Sequence, residues 1–289
     1  MTAQPMTTQP SRRGIPHPPD PLPIPVVDNH THLDISREGD EVAVGDLGPV
    51  LAAAAEVGVD RVVQVGCDVA GAQFAVAAAE RHAGVLAGVA LHPNEVPGLA
   101  ASGGLDAAYA EIERLAAHPR VRVVGETGLD YYRTGPEGMP AQQESFRWHI
   151  DLAKRLGKAL QVHDRDSHDD VLRVLDEEGA PEHTVMHCFS GGPELARQCV
   201  DRGYHLSFSG TVTFKSAKAL RDALAVTPLE LLLVETDAPY LTPHPWRGAT
   251  NSPALVPLTV RAMAAVLGVA VPTLCESLSD NAERLYGPW

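Results

Sequence analysis

The sequence contains few cysteines, and none of them forms a redox or metal-binding pair. Its four cysteines, Cys67, Cys188, Cys199 and Cys275, are dispersed, and no CxxC motif is present. No apolar run approaches the roughly 20 residues of a membrane-spanning helix, and the N-terminus lacks the short apolar stretch of a signal peptide. These absences argue against a disulfide framework and a spanning segment, so a cytoplasmic location is expected.

Positive charge is scarce as well. Lys and Arg number 23 against 37 Asp and Glu, which gives a net charge of −14 with histidine neutral. This balance opposes nonspecific binding of polyanions, because a local basic surface or metal ions must offset the repulsion of phosphates. Hydrophobic residues make up 44% of the chain and charged residues 21%, which is the composition of a folded globular protein rather than a disordered one.

The N-terminal segment differs from the rest of the chain. Residues 1–25 are rich in Pro, Thr and Gln, which predicts an extended, solvated tail outside the folded core. Residues 26–289 have the length of a single α/β barrel and are expected to form one domain.

From Pro25 onward, short runs of Val, Ile and Leu alternate with longer amphipathic stretches, which is typical of repeated β-then-α units and a parallel sheet. Eight strands are predicted, at Val26 to Asn29, Arg61 to Val65, Val85 to Leu91, Val121 to Gly125, Ala159 to Val162, Thr184 to Met186, Tyr204 to Phe208 and Leu231 to Val234. Helices are predicted at Leu47 to Val57, Gln142 to Leu156, Asp170 to Glu178, Pro253 to Leu267 and Pro272 to Tyr286.

The eightfold βα count predicts a closed (β/α)8 TIM barrel, with an open doubly wound sheet as the alternative. A dinucleotide-binding sheet would carry a Gly-rich GxGxxG turn after its first strand. Here the first βα turn reads Asp28-Asn29-His30-Thr31-His32, so nothing marks a dinucleotide site.

His30 and His32 are the first candidate metal ligands. Residues two apart in an extended segment point to the same side, so both imidazoles can converge on one cation. A lone histidine is more often a loop or surface residue, but a pair in HxH register at a strand end is moderately specific.

Later strands also end on groups that bind metals. Glu126 follows strand four, His163 strand five and His187 strand six, and Asp237 lies just beyond strand eight. In a barrel, all these carboxyl-terminal ends open on one rim, where such folds place their chemistry. Four imidazoles and two carboxylates suffice for two divalent ions that share a bridging carboxylate, for which Glu126 is the natural candidate.

This ligand set predicts hydrolysis by metal-activated water. Two ions lower the pKa of water and polarise a phosphoryl or carbonyl oxygen, so no protein nucleophile is required. Consistently, the sequence has neither a GxSxG elbow nor an obvious Ser-His-Asp arrangement. Asp237 is expected to orient the attacking water and accept its proton, and Glu235 to orient a ligating histidine.

Together these residues resemble the TatD family of metal-dependent deoxyribonucleases, within the wider amidohydrolase-like barrels. The resemblance runs from Val26 nearly to the C-terminus. It is carried by Val27-Asp28-Asn29-His30-Thr31-His32-Leu33-Asp34, Gly125-Glu126-Thr127-Gly128-Leu129-Asp130-Tyr131-Tyr132, Val162-His163-Asp164-Arg165, Met186-His187-Cys188-Phe189-Ser190-Gly191 and Glu235-Thr236-Asp237-Ala238-Pro239-Tyr240-Leu241.

The resemblance implies that His30, His32 and Asp237 hold one ion, that His163 and His187 hold the other, and that Glu126 lies between them. It also implies a substrate-side histidine at His92, although Asn94 replaces a second histidine often found in that segment. In the loop after strand eight, Thr250 and Ser252 replace the usual charged pair, which bears on substrate preference.

Three basic residues near the strand ends are candidates for contacts with phosphates. These are Arg165, Lys215 and Arg247, each of which alone is as readily a solvated surface charge. Tyr131 and Tyr132 have two readings, because an exposed ring can stack on a splayed base while a buried one belongs to the core.

The leading hypothesis is a deoxyribonuclease that cleaves DNA phosphodiester bonds, at single strands or ends, with two divalent ions of Mg, Mn or Zn. The alternative is a small-molecule amidohydrolase, esterase or lactonase that uses the same metal site. A noncatalytic metal-binding protein is the third class, and six intact candidate ligands argue against it.

Overall fold

The computed structural model describes residues 17–36 and 46–289. Within them, eight parallel strands form one sheet in the order of the sequence, β1 to β8. The strands are β1 Val26–Thr31, β2 Val59–Gly66, β3 Val85–Val89, β4 Val121–Asp130, β5 Ala159–Arg165, β6 Thr184–Met186, β7 His205–Phe208 and β8 Leu232–Val234. This order without reversal confirms the predicted barrel, since a doubly wound sheet reverses its strand order.

Residues just beyond β1 and β8 join the two edges of the sheet. The His32 amide donates a hydrogen bond to the Ala238 carbonyl at 2.8 Å, and the Asp237 amide donates to the His30 carbonyl at 3.0 Å. The barrel is therefore nearly closed, and the backbone that closes it also carries candidate metal ligands.

Helices lie between the strands, and the last two follow β8. They are α1 Gly48–Glu56, α2 Val69–Arg81, α3 Val96–Ser102, α4 Leu105–Ala116, α5 Met139–Leu156, α6 His168–Glu178, α7 Pro193–Asp201, α8 Lys218–Val226, α9 Val256–Leu267 and α10 Val271–Tyr286. A short 3-10 helix, Pro253–Leu255, precedes α9. All five helices expected from the sequence are present, with ends displaced by at most three residues.

The barrel interior is apolar near its amino-terminal end and polar toward the opposite rim. One cluster of buried side chains joins Val63, Val123 and Leu233 from the strands to Leu285 and Tyr286 of α10. A larger cluster fills the layer between strands and helices. The rim at the carboxyl ends of the strands is thus left for the functional side chains.

Strand β4 is longer than the sequence predicts. The sequence predicts an end at Gly125, but the strand runs to Asp130. Its register with β5 shifts between Val124 and Thr127, so Glu126 lies in an irregular section within the strand rather than after it. Such an irregularity redirects a side chain without ending the strand. The polar residues at this point therefore resemble the end of a strand in the sequence.

Part of the predicted tail lies within the described residues. There the Leu22 side chain is buried and its amide donates to the Val57 carbonyl at 2.9 Å. The Arg261 guanidinium donates to the Asp20 carbonyl at 2.8 Å. The chain therefore packs on the barrel before Val26, while residues 1–16 lie outside the described part and the domain boundary stays a prediction.

Across residues 17–36 and 46–289, no single helix is long and apolar enough to cross a membrane. Pro253–Leu267 and Val271–Tyr286 meet that test of length and composition only as a pair, and the pair is bent by 112°.

Candidate metal centre

His30 and His32 project their Nε2 atoms toward one point. His30 Nδ1 lies 2.8 Å from Gln161 Oε1, and His32 Nδ1 lies 2.8 Å from the Val65 carbonyl oxygen. Because both oxygens only accept, each Nδ1 carries the hydrogen and each neutral ring presents a lone pair at Nε2. The two Nε2 atoms are 3.1 Å apart. Facing lone pairs repel unless a cation lies between them, so this pair fits a metal ion.

Glu126 lies between two pairs of histidines. Its Oε1 is 3.3 Å from His32 Nε2 and 3.6 Å from His30 Nε2. Its Oε2 is 3.0 Å from His163 Nδ1 and 3.0 Å from His187 Nε2. Each carboxylate oxygen therefore faces a different pair of imidazoles.

Asp237 completes the side of the cluster formed by the HxH pair. Its Oδ1 is 3.5 Å from His32 Nε2 and 4.0 Å from His30 Nε2. The residue has a φ of 54°, in the left-handed region that Asp tolerates better than most side chains. The hydrogen bond from the Asp237 backbone amide to the His30 carbonyl holds this conformation and directs the carboxylate into the cluster.

The electrostatics of the cluster favour charged carboxylates. Burial opposes ionisation of Glu126, but the neighbouring His92 and His187, together with the close contacts of His163 and His187, bring its pKa well below the usual range. Burial likewise opposes ionisation of Asp237, but its contact with His32 and the combined influence of His187, His32 and His30 outweigh burial and lower the pKa. Both groups are therefore anionic at neutral pH, as ligands of a divalent ion must be.

Glu235 orients one of the imidazoles. Its Oε1 lies 3.2 Å from His187 Nδ1, which leaves His187 Nε2 directed at Glu126. The Glu235 side chain is fully buried, and its Oε2 has no hydrogen-bond partner among the described residues. A carboxylate behind a histidine fixes the tautomer and raises the basicity of the ligating nitrogen.

Three groups of side chains could each hold an ion, because the donor atoms within each group lie within 4.8 Å of one another. They are His30 with His32 and Glu126, His30 with His187 and Asp237, and His92 with Glu126 and His163. The structure thus brings together all six ligands predicted from the sequence. His92 joins them: its Nε2 is 3.6 Å from Glu126 Oε2, closer to the ligands than a purely substrate-side role requires.

The cluster opens into a cleft of about 590 Å³ at the carboxyl-terminal rim. His92 and Arg165 line this cleft, and their contact with substrate stays a prediction. Lys215 and Arg247 are exposed and are not among the lining residues. Instead, the Arg247 guanidinium lies over the Phe214 ring at 4.6 Å.

The sequence did not single out three side chains next to the cluster. Asp130 Oδ2 is 3.4 Å from His163 Nε2, and Cys67 Sγ is 3.5 Å from Glu126 Oε1. Gln161 bonds His30 from inside β5. A signal was available for Gln161, a lone amide two residues before His163 in an otherwise apolar strand and therefore on the same face. Asp130 lies within the segment from Gly125 to Tyr132 that carries the family resemblance.

Comparisons with known proteins agree with this geometry. The family described as TatD related DNase matches residues 27–287. The uncharacterized metal-dependent hydrolase TatD of Mycobacterium tuberculosis is 48% identical over 266 residues, covering 91% of this chain and 98% of the relative. The uncharacterized metal-dependent hydrolase YabD of Bacillus subtilis is 35% identical over 90% of this chain and 98% of its own. The crystal structure of YjjV, a TatD homolog from Escherichia coli, matches with a TM-score of 0.80 at 27% identity, covering 90% of this chain and 97% of that one.

Proposed function

The chain belongs to the TatD-related DNase family of metal-dependent hydrolases, and from this membership we propose that it cleaves DNA phosphodiester bonds with water activated at a two-metal centre. The observation that carries the two-metal part is the placement of Glu126. Its Oε1 faces the pair His30 and His32, and its Oε2 faces the pair His163 and His187. A carboxylate in that position is the expected bridge between two ions.

In this proposal, His30, His32 and Asp237 hold the first ion, His163 and His187 hold the second, and Glu126 contacts both. Divalent ions bound there would lower the pKa of water and polarise a phosphoryl oxygen. Magnesium, manganese and zinc all accept donors from a mixed shell of imidazoles and carboxylates.

Asp237 is proposed as the general base. Its side chain keeps 16% of its surface exposed in the cleft, whereas that of Glu126 keeps 5%, so Asp237 is the carboxylate that water reaches more readily. A carboxylate at this edge can orient an attacking water and take its proton at a free oxygen. Glu126 is held by four imidazoles and keeps its charge instead.

The cleft is proposed to take single strands or ends of DNA. Its volume of about 590 Å³ admits a few nucleotides rather than a duplex. Arg133 and Arg165 line it and supply positive charge beside the cluster of carboxylates, in a molecule with a net charge of −14. Local guanidinium groups of this kind position phosphates without reading sequence.

The test is hydrolysis of a labelled single-stranded DNA by the purified protein with added magnesium, manganese or zinc. Cleavage should require metal. Asp237→Asn should lower kcat by at least about a hundredfold and change KM far less, because it removes the general base; metal content is measured beside it, since the same side chain is a proposed ligand of the first ion. His163→Ala should lower activity together with metal content. Cleavage that persists in EDTA, or an Asp237→Asn variant with normal kcat, contradicts the proposal.

The net charge of −14 favours one alternative substrate class, because a small neutral ester, lactone or amide meets no long-range repulsion. Such substrates are hydrolysed on related metal-binding barrels by the same kind of activated water. Metal-dependent hydrolysis of these compounds by a protein that leaves DNA intact would move the assignment to this class.

A further inference from the structure

Two tyrosines at the mouth of the barrel are largely exposed to solvent. Tyr132 keeps 64% of its surface exposed and Tyr240 keeps 44%, and no other large hydrophobic side chain in the described part of the chain is exposed. Both residues follow strands whose ends carry the metal-ligand cluster. Isolated exposed aromatics are ordinary on a surface, but a pair confined to the functional rim calls for a ligand.

The two rings lie on opposite sides of the mouth. Tyr132 follows β4 and Tyr240 follows β8, and in a barrel of eight strands in sequential order these are four strands apart in either direction. The metal-ligand cluster lies between them, since it draws side chains from strands on both sides. A chain that crosses the mouth over the cluster therefore meets one ring on each side.

The backbone around both rings is fixed. The Tyr131 amide donates to the Arg165 carbonyl at 2.9 Å, which anchors the turn that carries Tyr132 to the end of β5. The Tyr240 amide donates to the Asp237 carbonyl at 2.9 Å, and its carbonyl accepts from the buried Asn251 side chain at 2.6 Å. A ring presented to solvent on a fixed backbone costs little ordering entropy when a ligand binds.

Two guanidinium groups line the cleft, one of them beside the Tyr132 ring, and neither has a carboxylate partner among the described residues. Arg165 stacks over the Tyr132 ring at 4.0 Å, and both Arg133 and Arg165 line the cleft. Within the described residues, neither forms an ion pair, whereas Arg147, Arg155 and Arg202 are each paired to acidic side chains. In so acidic a molecule, unpaired arginines at one rim indicate recognition of an anion.

Aromatic faces next to unpaired guanidinium groups match the alternation of base and phosphate in an oligonucleotide. In a duplex the base faces are covered by their neighbours, so only unpaired nucleotides offer a face to a tyrosine. We propose that Tyr132 and Tyr240 are stacking subsites for two unpaired bases of a strand lying across the mouth, with Arg133 and Arg165 on its phosphates. This proposal rests on the proposed action on DNA.

The subsites are tested by binding of a fluorescent single-stranded hexanucleotide, measured by anisotropy on the Asp237→Asn background so that turnover does not interfere. An abasic oligomer of the same length keeps the phosphates and removes the base faces. Tyr132→Leu and Tyr240→Leu remove each ring, while Tyr132→Phe and Tyr240→Phe keep it. Because both side chains are exposed, all four variants should melt at the same temperature as their parent.

The parent should bind the base-bearing strand more tightly than the abasic strand. Each leucine variant should weaken binding of the base-bearing strand by roughly tenfold to a hundredfold and leave the abasic strand unaffected, whereas each phenylalanine variant should bind like the parent. Equal affinity of the parent and the leucine variants for the base-bearing strand overturns the subsites, as does the absence of oligonucleotide binding by the parent.

The activity of the unmutated protein separates this proposal from the function on which it rests. Base-dependent binding that the leucine variants lose, without DNA cleavage by the unmutated protein, supports the subsites and overturns the nuclease assignment. Metal-dependent cleavage with a KM that neither leucine substitution changes leaves the nuclease assignment in place and overturns the subsites.

Discussion

The amide of Gln161 determines which nitrogen of His30 faces the metal-ligand cluster. Its Oε1 accepts from His30 Nδ1 at 2.8 Å, and its Nε2 donates to the Asn29 carbonyl at 2.9 Å. The second bond orients the amide, because reversing it would place two acceptors against each other. Gln161 thus keeps His30 Nε2 free for an ion although it never contacts that ion itself.

Replacing Gln161 with Leu should lower metal affinity by about 10- to 100-fold, because the His30 ring loses the acceptor that fixes its tautomer and orientation. Competition with a fluorescent chelator measures this affinity independently of catalysis. Gln143→Leu is a matched control, since that amide bonds the Tyr131 hydroxyl on the outer side of α5 at 2.7 Å. Equal metal affinity in the Gln161→Leu variant and the control would remove Gln161 from the site.

Helix α10 connects the closed end of the barrel to the site. Tyr286, the last residue of the helix, is buried, and its hydroxyl donates to Asn29 Oδ1. The same hydroxyl accepts from Gln161 Nε2 at 3.1 Å. Because Asn29 and Gln161 belong to β1 and β5, one hydroxyl ties the C-terminal helix to strands on opposite sides of the barrel.

Tyr286→Phe should lower the free energy of unfolding by about 1 to 2 kcal/mol, because it removes one hydroxyl and leaves buried amide groups of Asn29 and Gln161 with fewer partners. Urea denaturation monitored by circular dichroism measures the loss. Metal affinity should fall less than in the Gln161→Leu variant, since the bond to His30 remains. An unchanged unfolding midpoint would show that the contact between α10 and the strands depends on packing alone.

The strands and helices were predictable because their apolar periodicity is strong, whereas the irregular section of β4 was not. Glu126 and Thr127 interrupt the apolar run, so the sequence indicates an end where the structure has a register shift. The order of strands could be predicted, because parallel βα units place consecutive strands side by side.

The candidate site likewise has a part that the sequence predicts and a part that it does not. Ligands at strand ends could be predicted, because the barrel brings all those ends to one rim. The positions of Lys215 and Arg247 could not, since they lie in loops whose course depends on tertiary contacts such as the one between Arg247 and Phe214. The sequence also does not predict that Tyr132 is exposed while the adjacent Tyr131 is half-buried.

Two histidines that are buried away from the metal-ligand cluster limit the stability of the whole barrel at acidic pH. Burial lowers the pKa of His149 to about 4, and its Nε2 accepts from the Leu91 amide at 3.1 Å, a bond that protonation would break. Burial, assisted by Arg284, lowers the pKa of His205 to about 4. Neither ring nitrogen of His205 has a hydrogen-bond partner among the described residues.

These histidines make the folded state bind fewer protons than the unfolded state between the ordinary histidine pKa of 6.5 and about 4. Stability should therefore fall as pH drops through that range, by up to about 1.4 kcal/mol per pH unit for each histidine. His205→Leu should reduce this slope by one histidine's share. Urea unfolding at several pH values from 7.5 to about 4.5 measures it.

The exposed His244, replaced by Gln, serves as the control and should leave the slope unchanged. Any bound metal should be lost in acid alike from all three proteins, because none of these substitutions touches a candidate ligand. The difference between His205→Leu and the unmutated protein therefore isolates the buried imidazole from the metal centre. Parallel stability curves for the two proteins would mean that His205 has the same pKa in the folded barrel as in the unfolded chain, which contradicts the prediction.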